Sequence, residues 1–257
     1  MYLSSHAQTH RGTVRVLNED ALLELPQLNL WVVADGMGGH AAGDVASQLV
    51  VDTIENQLLK LPSNTISKQV IIDVIKHANN QLQNMIDSHF SGKVAGSTVV
   101  VLWIYNNQFH YFWVGDSRGY LQRADILSQI TKDHSQVNDM VDEGVLDSSE
   151  AETHPLANVI TRAVGVDEEV EVDYISGALL PNDIFLLCSD GLNKEVSNEE
   201  IEATAKNGTI IDVGLALMHA ALVRDARDNV TYILVKANID NNNSDAESCD
   251  VTIPLFR

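Results

Sequence analysis

The sequence of 257 residues predicts an α+β sandwich built as one domain. Three observations carry that expectation. Short apolar runs bounded by turn residues recur along the chain, helical periodicity is confined to paired segments, and the regular strand–helix–strand alternation of a parallel sheet is missing. Residues 12–34 read as two strands joined around ELPQLN, the second being the apolar run LWVVA. Residues 44–60 then place Val45, Leu49, Ile54 and Leu58 near helical spacing. Beyond breakers at 61–67, a second helix repeats the pattern with Val70, Val74, Ile75, Ala78, Leu82 and Ile86. Both helices are expected to lie on a sheet.

TVVVLWIY and QFHYFWVGD come next, separated by Asn106-Asn107, a hairpin signal because Asn tolerates positive φ. Strands at 119–123 and 126–130 extend this meander. From Asp133 to Gly165 the chain turns polar, with one helix near 135–143, and reads as a flap across the scaffold. Strands resume near 170–176 and 184–188, helices near 197–206 and 210–224, and NVTYILVKA closes the pattern as a strand. The expected domain is therefore 1–238, and the polar, acidic stretch 239–257 is expected to be a disordered tail.

Asp and Glu number 36 against 16 Lys and Arg, a formal charge of −20 that disfavours nucleic acid and anionic membrane as general partners. An anionic substrate must be drawn to a local positive site, and with few basic residues the natural source is bound metal. The chain has no apolar run of membrane-spanning length, and MYLSSHAQTHRGTVRV lacks a signal-peptide layout, so a cytoplasmic monomer is expected. Cys188, inside IFLLCSDG, reads as a buried, reduced thiol.

The sharpest pattern is acid at strand ends. LWVVADG, YFWVGDS and IFLLCSDG end apolar strands in Asp35, Asp116 and Asp190, while Asp228 opens the last strand and Glu19-Asp20 stand before an early one. Singly, each Asp-Gly or Asp-Ser is an ordinary turn. If these ends meet at one edge, the crowded carboxylates need a cation among them, and an all-oxygen donor set suits Mg²⁺ or Mn²⁺. Arg15 is the basic residue near Glu19-Asp20; a strand Arg is usually a surface ion-pair partner, but beside metals its fork would suit two phosphate oxygens. His40, in the glycine-rich turn, is either a turn residue or a general acid.

Two rival readings fail on the residues. Gly36, Gly38 and Ala41 fit a dinucleotide-binding turn, but two helical segments follow where that unit needs one, and Asp35 would face the pyrophosphate. A cysteine phosphatase would use Cys188, yet the position where its Arg belongs is Lys194.

Taken together, RVLNEDA (15–21), VVADGMGGHAAGDVAS (32–47), AGST (95–98), VGDSRGY (114–120), ITKDHS (130–135), HPLANVITRAVG (154–165), LLCSDGL (186–192) and RDNVT (227–231) resemble the metal-dependent serine/threonine phosphatases of the PP2C (PPM) family, in its bacterial branch. The resemblance runs from about Ala7 to Lys236. It implies a PP2C-like α-β-β-α sandwich and a pair of Mn²⁺ or Mg²⁺ ions at one end. Asp35 would bridge the ions, with the Gly36 carbonyl, Asp190, Asp228 and Glu19 completing the set and Asp20 supporting it. Asp116, with Asp190, would take a third, weaker ion, and Arg15 would hold the phosphate. The reaction implied is hydrolysis of phosphoserine and phosphothreonine by metal-activated water without a phosphoenzyme, opposing a bacterial Ser/Thr kinase and acting on its phosphorylated protein substrates. The eukaryotic branch carries a histidine directly after the Asp-Gly pair; here that residue is Met37, which leaves His40, a water or a flap residue as the acid. Alternatives are a catalytically silent phosphoprotein-binding or scaffold module on the same fold and a small phosphate-ester hydrolase.

Overall fold

The computed structural model describes residues 1–38, 42–89, 95–147, 149–151 and 154–239. Two antiparallel sheets stack face to face. One runs in the order β1 (Tyr2–His10), β11 (Val230–Asn238), β10 (Ile184–Cys188), β7 (Arg118–Arg123), β8 (Ile126–Gln129). The other runs β2 (Asp20–Leu25), β3 (Leu30–Met37), β5 (Val99–Tyr105), β6 (Gln108–Val114), β9 (Asp173–Ala178), with the short β4 (Gly96–Ser97) paired to the end of β3. Helices α1 (Gly43–Leu58) and α2 (Lys68–His89) cover the outer face of the second sheet; α3 (Gln136–Asp142) lies in the polar segment; α4 (Asp190–Asn193), α5 (Asn198–Ala205) and α6 (Ile210–Val223) cover the first. The α-β-β-α sandwich expected from the sequence is the architecture observed.

Side-chain alternation builds three apolar layers. Trp31, Val33, Val100, Leu102, Tyr111 and Trp113 point between the sheets, where they meet Phe185, Leu187, Ile233 and Val235. Their neighbours Leu30, Val32, Ala34, Val99, Val101, Phe112 and Val114 face α1 and α2. Tyr120, Leu186, Cys188, Tyr232 and Leu234 face α4 to α6. Because both faces of these strands are buried, they read in sequence as continuous apolar runs. On the first sheet's side the helices start on local chemistry: Ser197 and Thr209 form capping boxes with Glu200 and Asp212 at the starts of α5 and α6.

The Asn106-Asn107 hairpin is present, with φ of 50° and 55° as a type I′ turn requires. Cys188 is buried and unpaired. Other expectations need correction. The first strand of the 12–34 pair starts only at Asp20, and the residues between β1 and β2, Arg15 among them, form a loop rather than a strand. The edge strand β1 has no counterpart in the sequence reading. The strand placed at 170–176 lies at Asp173–Ala178, and α4 follows β10 directly. On α1 the buried face is Ala46, Val50, Val51, Ile54 and Leu58, which turns Val45 outward. No helix among the described residues is long and apolar enough to cross a membrane. The stretch 240–257, most of the expected tail, lies outside the described residues.

Candidate metal centre

The antiparallel register sets Asp20 directly opposite Asp35 where β2 begins and β3 ends. At the same end of the sandwich β6 runs out into Gly115-Asp116, β10 into Ser189-Asp190, and Asp228 stands just before β11. The strand ends are stitched together by small polar side chains. Asp35 N–H donates to Thr98 Oγ1 at 2.9 Å, and that hydroxyl meets Ser117 Oγ at 2.7 Å, linking the Asp35 turn to the residue after Asp116. Ser189 Oγ donates to Asp20 Oδ2 at 2.7 Å and accepts from Thr231 N–H at 3.0 Å, which ties Asp20 to the other sheet.

One side chain, that of Asn229, makes several of the bonds that hold the loop carrying Arg15 and Glu19. Asn229 Oδ1 accepts from Glu19 N–H at 2.7 Å, while its Nδ2 donates to the carbonyls of Arg11 and Leu17, both at 3.0 Å. Arg15 Nη2 then donates to Asp228 Oδ2 at 2.8 Å, and its Nη1 lies 3.7 Å from Glu19. Arg15, Glu19, Asp20, Asp35, Gly36, Asp116, Asp190 and Asp228 are thus all found at this end. His40 lies outside the described residues.

Backbone packs closely here. A Cβ on Gly36 would stand 1.9 Å from the Gly43 carbonyl oxygen and 2.7 Å from that of Glu19, so only glycine lets β3, the start of α1 and the Glu19 loop meet. Gly36→Ala is therefore expected to lower stability by about 2 kcal/mol or more, because the clash is with backbone that cannot swing aside. A urea midpoint equal to that of the parent would show that the junction is looser than its contacts indicate.

Electrostatics at this end are unfavourable as the protein alone. Asp35 is pushed well above the usual carboxylate range by burial, then by the charges of Asp20, Asp190, Asp116 and Asp228. Burial lifts Asp20 to about 7, with Asp190 and Asp228 adding and the Thr231 and Ser189 hydrogen bonds opposing. Asp116 is likewise lifted to about 7, by burial, then Asp190 and Asp133. Asp20, Asp116 and Asp190 each keep a buried Oδ1 with no hydrogen-bond partner among the described residues. Unpartnered hard oxygen donors beside mutually repelling carboxylates fit a hard divalent cation such as Mg²⁺ or Mn²⁺. Among the described residues no three acid, imidazole or thiol side chains suffice by themselves for one ion. A site here would need the Gly36 carbonyl and water as further donors.

Sequence reasoning missed several residues that shape the edge. Asn229 and Ser189 each adjoin a predicted ligand, and a small polar residue between an apolar strand and an acid was the available signal. Lys194 pairs with Asp190 one turn along the helix. His134, in the polar flap, accepts from Gly115 N–H through Nδ1 at 3.0 Å, stacks on Trp113, and sets Nε2 3.3 Å from Asp173. Burial, then the Arg162 charge, lowers its pKa, so it serves as a neutral strut between flap and strand end. Between flap and α5 a groove of about 450 Å³ opens from Asp116 and Asp190.

Residues 7–212 match the family model for Protein phosphatase 2C. The chain is 32% identical to the serine/threonine phosphatase stp of Listeria innocua over 94% of this chain and 99% of that protein. Among solved structures, PppA, a regulatory component of the type VI secretion system in Pseudomonas aeruginosa, superposes with a TM-score of 0.82 at 39% identity, covering 92% of this chain and 98% of that one. The catalytic domain of the serine/threonine phosphatase PstP in complex with two manganese ions superposes at 0.82 with 32% identity, covering 92% and 99%. The chain belongs to the protein phosphatase 2C family, in the bacterial branch of serine/threonine phosphatases.

Proposed function

We propose that this chain hydrolyses phosphoserine and phosphothreonine in proteins in a Mn²⁺- or Mg²⁺-dependent reaction and so opposes a bacterial Ser/Thr kinase. The observation that carries the reading is the edge where unpartnered oxygens of Asp20, Asp116 and Asp190 adjoin the strongly perturbed Asp35. Two ions would draw on Asp35, Asp190, Asp228, Glu19 and the Gly36 carbonyl, with Asp20 buttressing them and Asp116 sharing a third with Asp190. Bound there, such ions supply positive charge for the phosphate and bring the pKa of water toward neutrality. The two-manganese PstP structure supports this choice of cofactor by likeness.

The chain's own contribution is orientation. Arg15 is nearly half exposed, with Nη1 and Nη2 already directed at Glu19 and Asp228, so its planar fork stands at the mouth where phosphate oxygens would arrive. Ser189 fixes the Asp20 carboxylate from behind, and Thr98 fixes the Asp35 backbone. A phosphate held by Arg15 is presented to the acid edge, and the groove between flap and α5 leaves room for the chain that carries it.

The direct test is hydrolysis of a phosphothreonine peptide after chelator treatment, then with Mn²⁺ or Mg²⁺ restored. Activity lost with chelator and regained with metal supports the reading, and a folded protein inactive with every divalent ion overturns it. Arg15→Ala should raise KM by about tenfold with a smaller change in kcat, since it removes phosphate binding and leaves the water-activating groups in place. An unchanged KM would reduce Arg15 to an ion-pair partner of Asp228.

A further inference from the structure

We propose that Lys194 is a tethered cation at the Asp116–Asp190 pair, competing there with a divalent ion and setting how weakly that ion binds. The inference rests on the metal reading above and concerns a residue that reading does not use. Lys194 follows Asp190 by four residues across α4, and its Nζ donates to Asp190 Oδ2. The same Asp190 keeps Oδ1 unpartnered, as does Asp116, and all three residues line the groove beneath the flap. This short helix thus supplies a metal-type donor at its first residue and, just past its last, the charge that can take a metal's place.

The pair differs from a routine helical ion pair. Lys206 and Glu202 have the same spacing, but their side chains are 36% and 32% exposed, whereas Asp190 is only 14% exposed. Solvent therefore screens the Lys194–Asp190 contact less on its acidic side. On the opposite flank Arg15 plays the equivalent part for Asp228 and Glu19. Arg15 and Lys194 thus both pair with acids of this edge, and Lys194 shares the groove with Asp116.

A divalent ion entering between Asp116 and Asp190 must displace that ammonium or share the carboxylates with it. Removing the charge should then tighten this ion most, with a smaller gain for the ion that shares Asp190. The experiment is Mn²⁺ titration of the full chain, followed calorimetrically and by the electron paramagnetic resonance signal of free Mn²⁺, for the parent, Lys194→Met, Lys194→Arg and Lys194→Met combined with Asp116→Asn. The expected result is a weakest Mn²⁺ bound at least about tenfold more tightly in Lys194→Met, as loss of a competing unit charge in contact range demands. Lys194→Arg should behave as the parent, and Asp116→Asn should cancel the gain. Equal affinity for the weakest ion in Lys194→Met and parent, or a gain that survives Asp116→Asn, overturns the proposal. Circular dichroism checks each fold, and Lys194→Gln replaces the Met variant if that one does not fold. A parent that binds two ions but shows no Lys194 effect defeats this inference alone; a parent that binds none defeats the metal reading as well.

Discussion

Asp35→Asn is expected to lower metal-dependent hydrolysis by about a thousandfold or more while raising the protein's stability in chelator. The two effects share one cause. Asp35 is partly buried, and burial and four neighbouring aspartates, Asp20, Asp190, Asp116 and Asp228, all act against its charge. An amide of the same shape removes the repulsion, and with it the central anionic donor of the proposed two-ion set. In chelator the variant should melt several degrees higher, since about 1 kcal/mol corresponds to roughly 2–4 °C in a chain of this size. In saturating Mn²⁺ the order should invert, because only the parent gains binding energy from the ions. Calorimetric scans with and without chelator, beside a peptide assay, decide it. Activity within tenfold of the parent would remove Asp35 from the metal set.

The second large effect is on pH dependence. Asp20 and Asp116 have native pKa values near 7 against an ordinary 3.8. Between those limits the folded protein binds more protons than the unfolded one, so stability in chelator should fall as pH rises through the window and level off above it. A shift of about three units corresponds to roughly 4 kcal/mol for one carboxylate, and because both sense Asp190 the combined effect stays below twice that. With Mn²⁺ present the slope should flatten or reverse, since the ion must displace those protons and binds more tightly as pH rises. Urea midpoints from pH 4.5 to 8, measured in chelator and in Mn²⁺, test this. Stability in chelator that rises across the window would show that the carboxylates reach solvent. In Asp35→Asn the chelator slope should be shallower, which separates this edge from the repulsion of a chain carrying −20 overall.

The layers were legible because LWVVA, TVVVLWIY and IFLLC are buried on both faces and bounded by turn residues. Strand β1 escaped notice because YLSSHAQTH sits at a sheet edge, half-buried along most of its length, and so shows neither a run nor a clean alternation. The Arg15 loop was read as strand for a related reason: its exposed Val14, Val16 and Leu17 imitate a strand's apolar content without being buried. Acids at strand ends were visible one by one. Their meeting depends on β11 lying between β1 and β10, an order no local spacing encodes. Asn229, Ser189 and Lys194 matter through partners far away or through a neighbouring charge, so their residue types alone revealed little. In the sequence Lys194 stands out only because a different phosphatase chemistry would require arginine at that position.

The bond network of Asn229 has a consequence for the order in which the molecule is made. The loop that presents Arg15 and Glu19 is fastened by a side chain more than 200 positions later, and Asp20 depends on Ser189 and Thr231 in the same way. During synthesis the α1–α2 layer and its sheet emerge early, whereas the acid edge stays unassembled until the β11 segment leaves the ribosome. Contacts of such wide sequence separation form slowly and late. A nascent chain is therefore exposed as a half-built sandwich before it is an enzyme, and it acquires its acid edge only as its first and last strands pair.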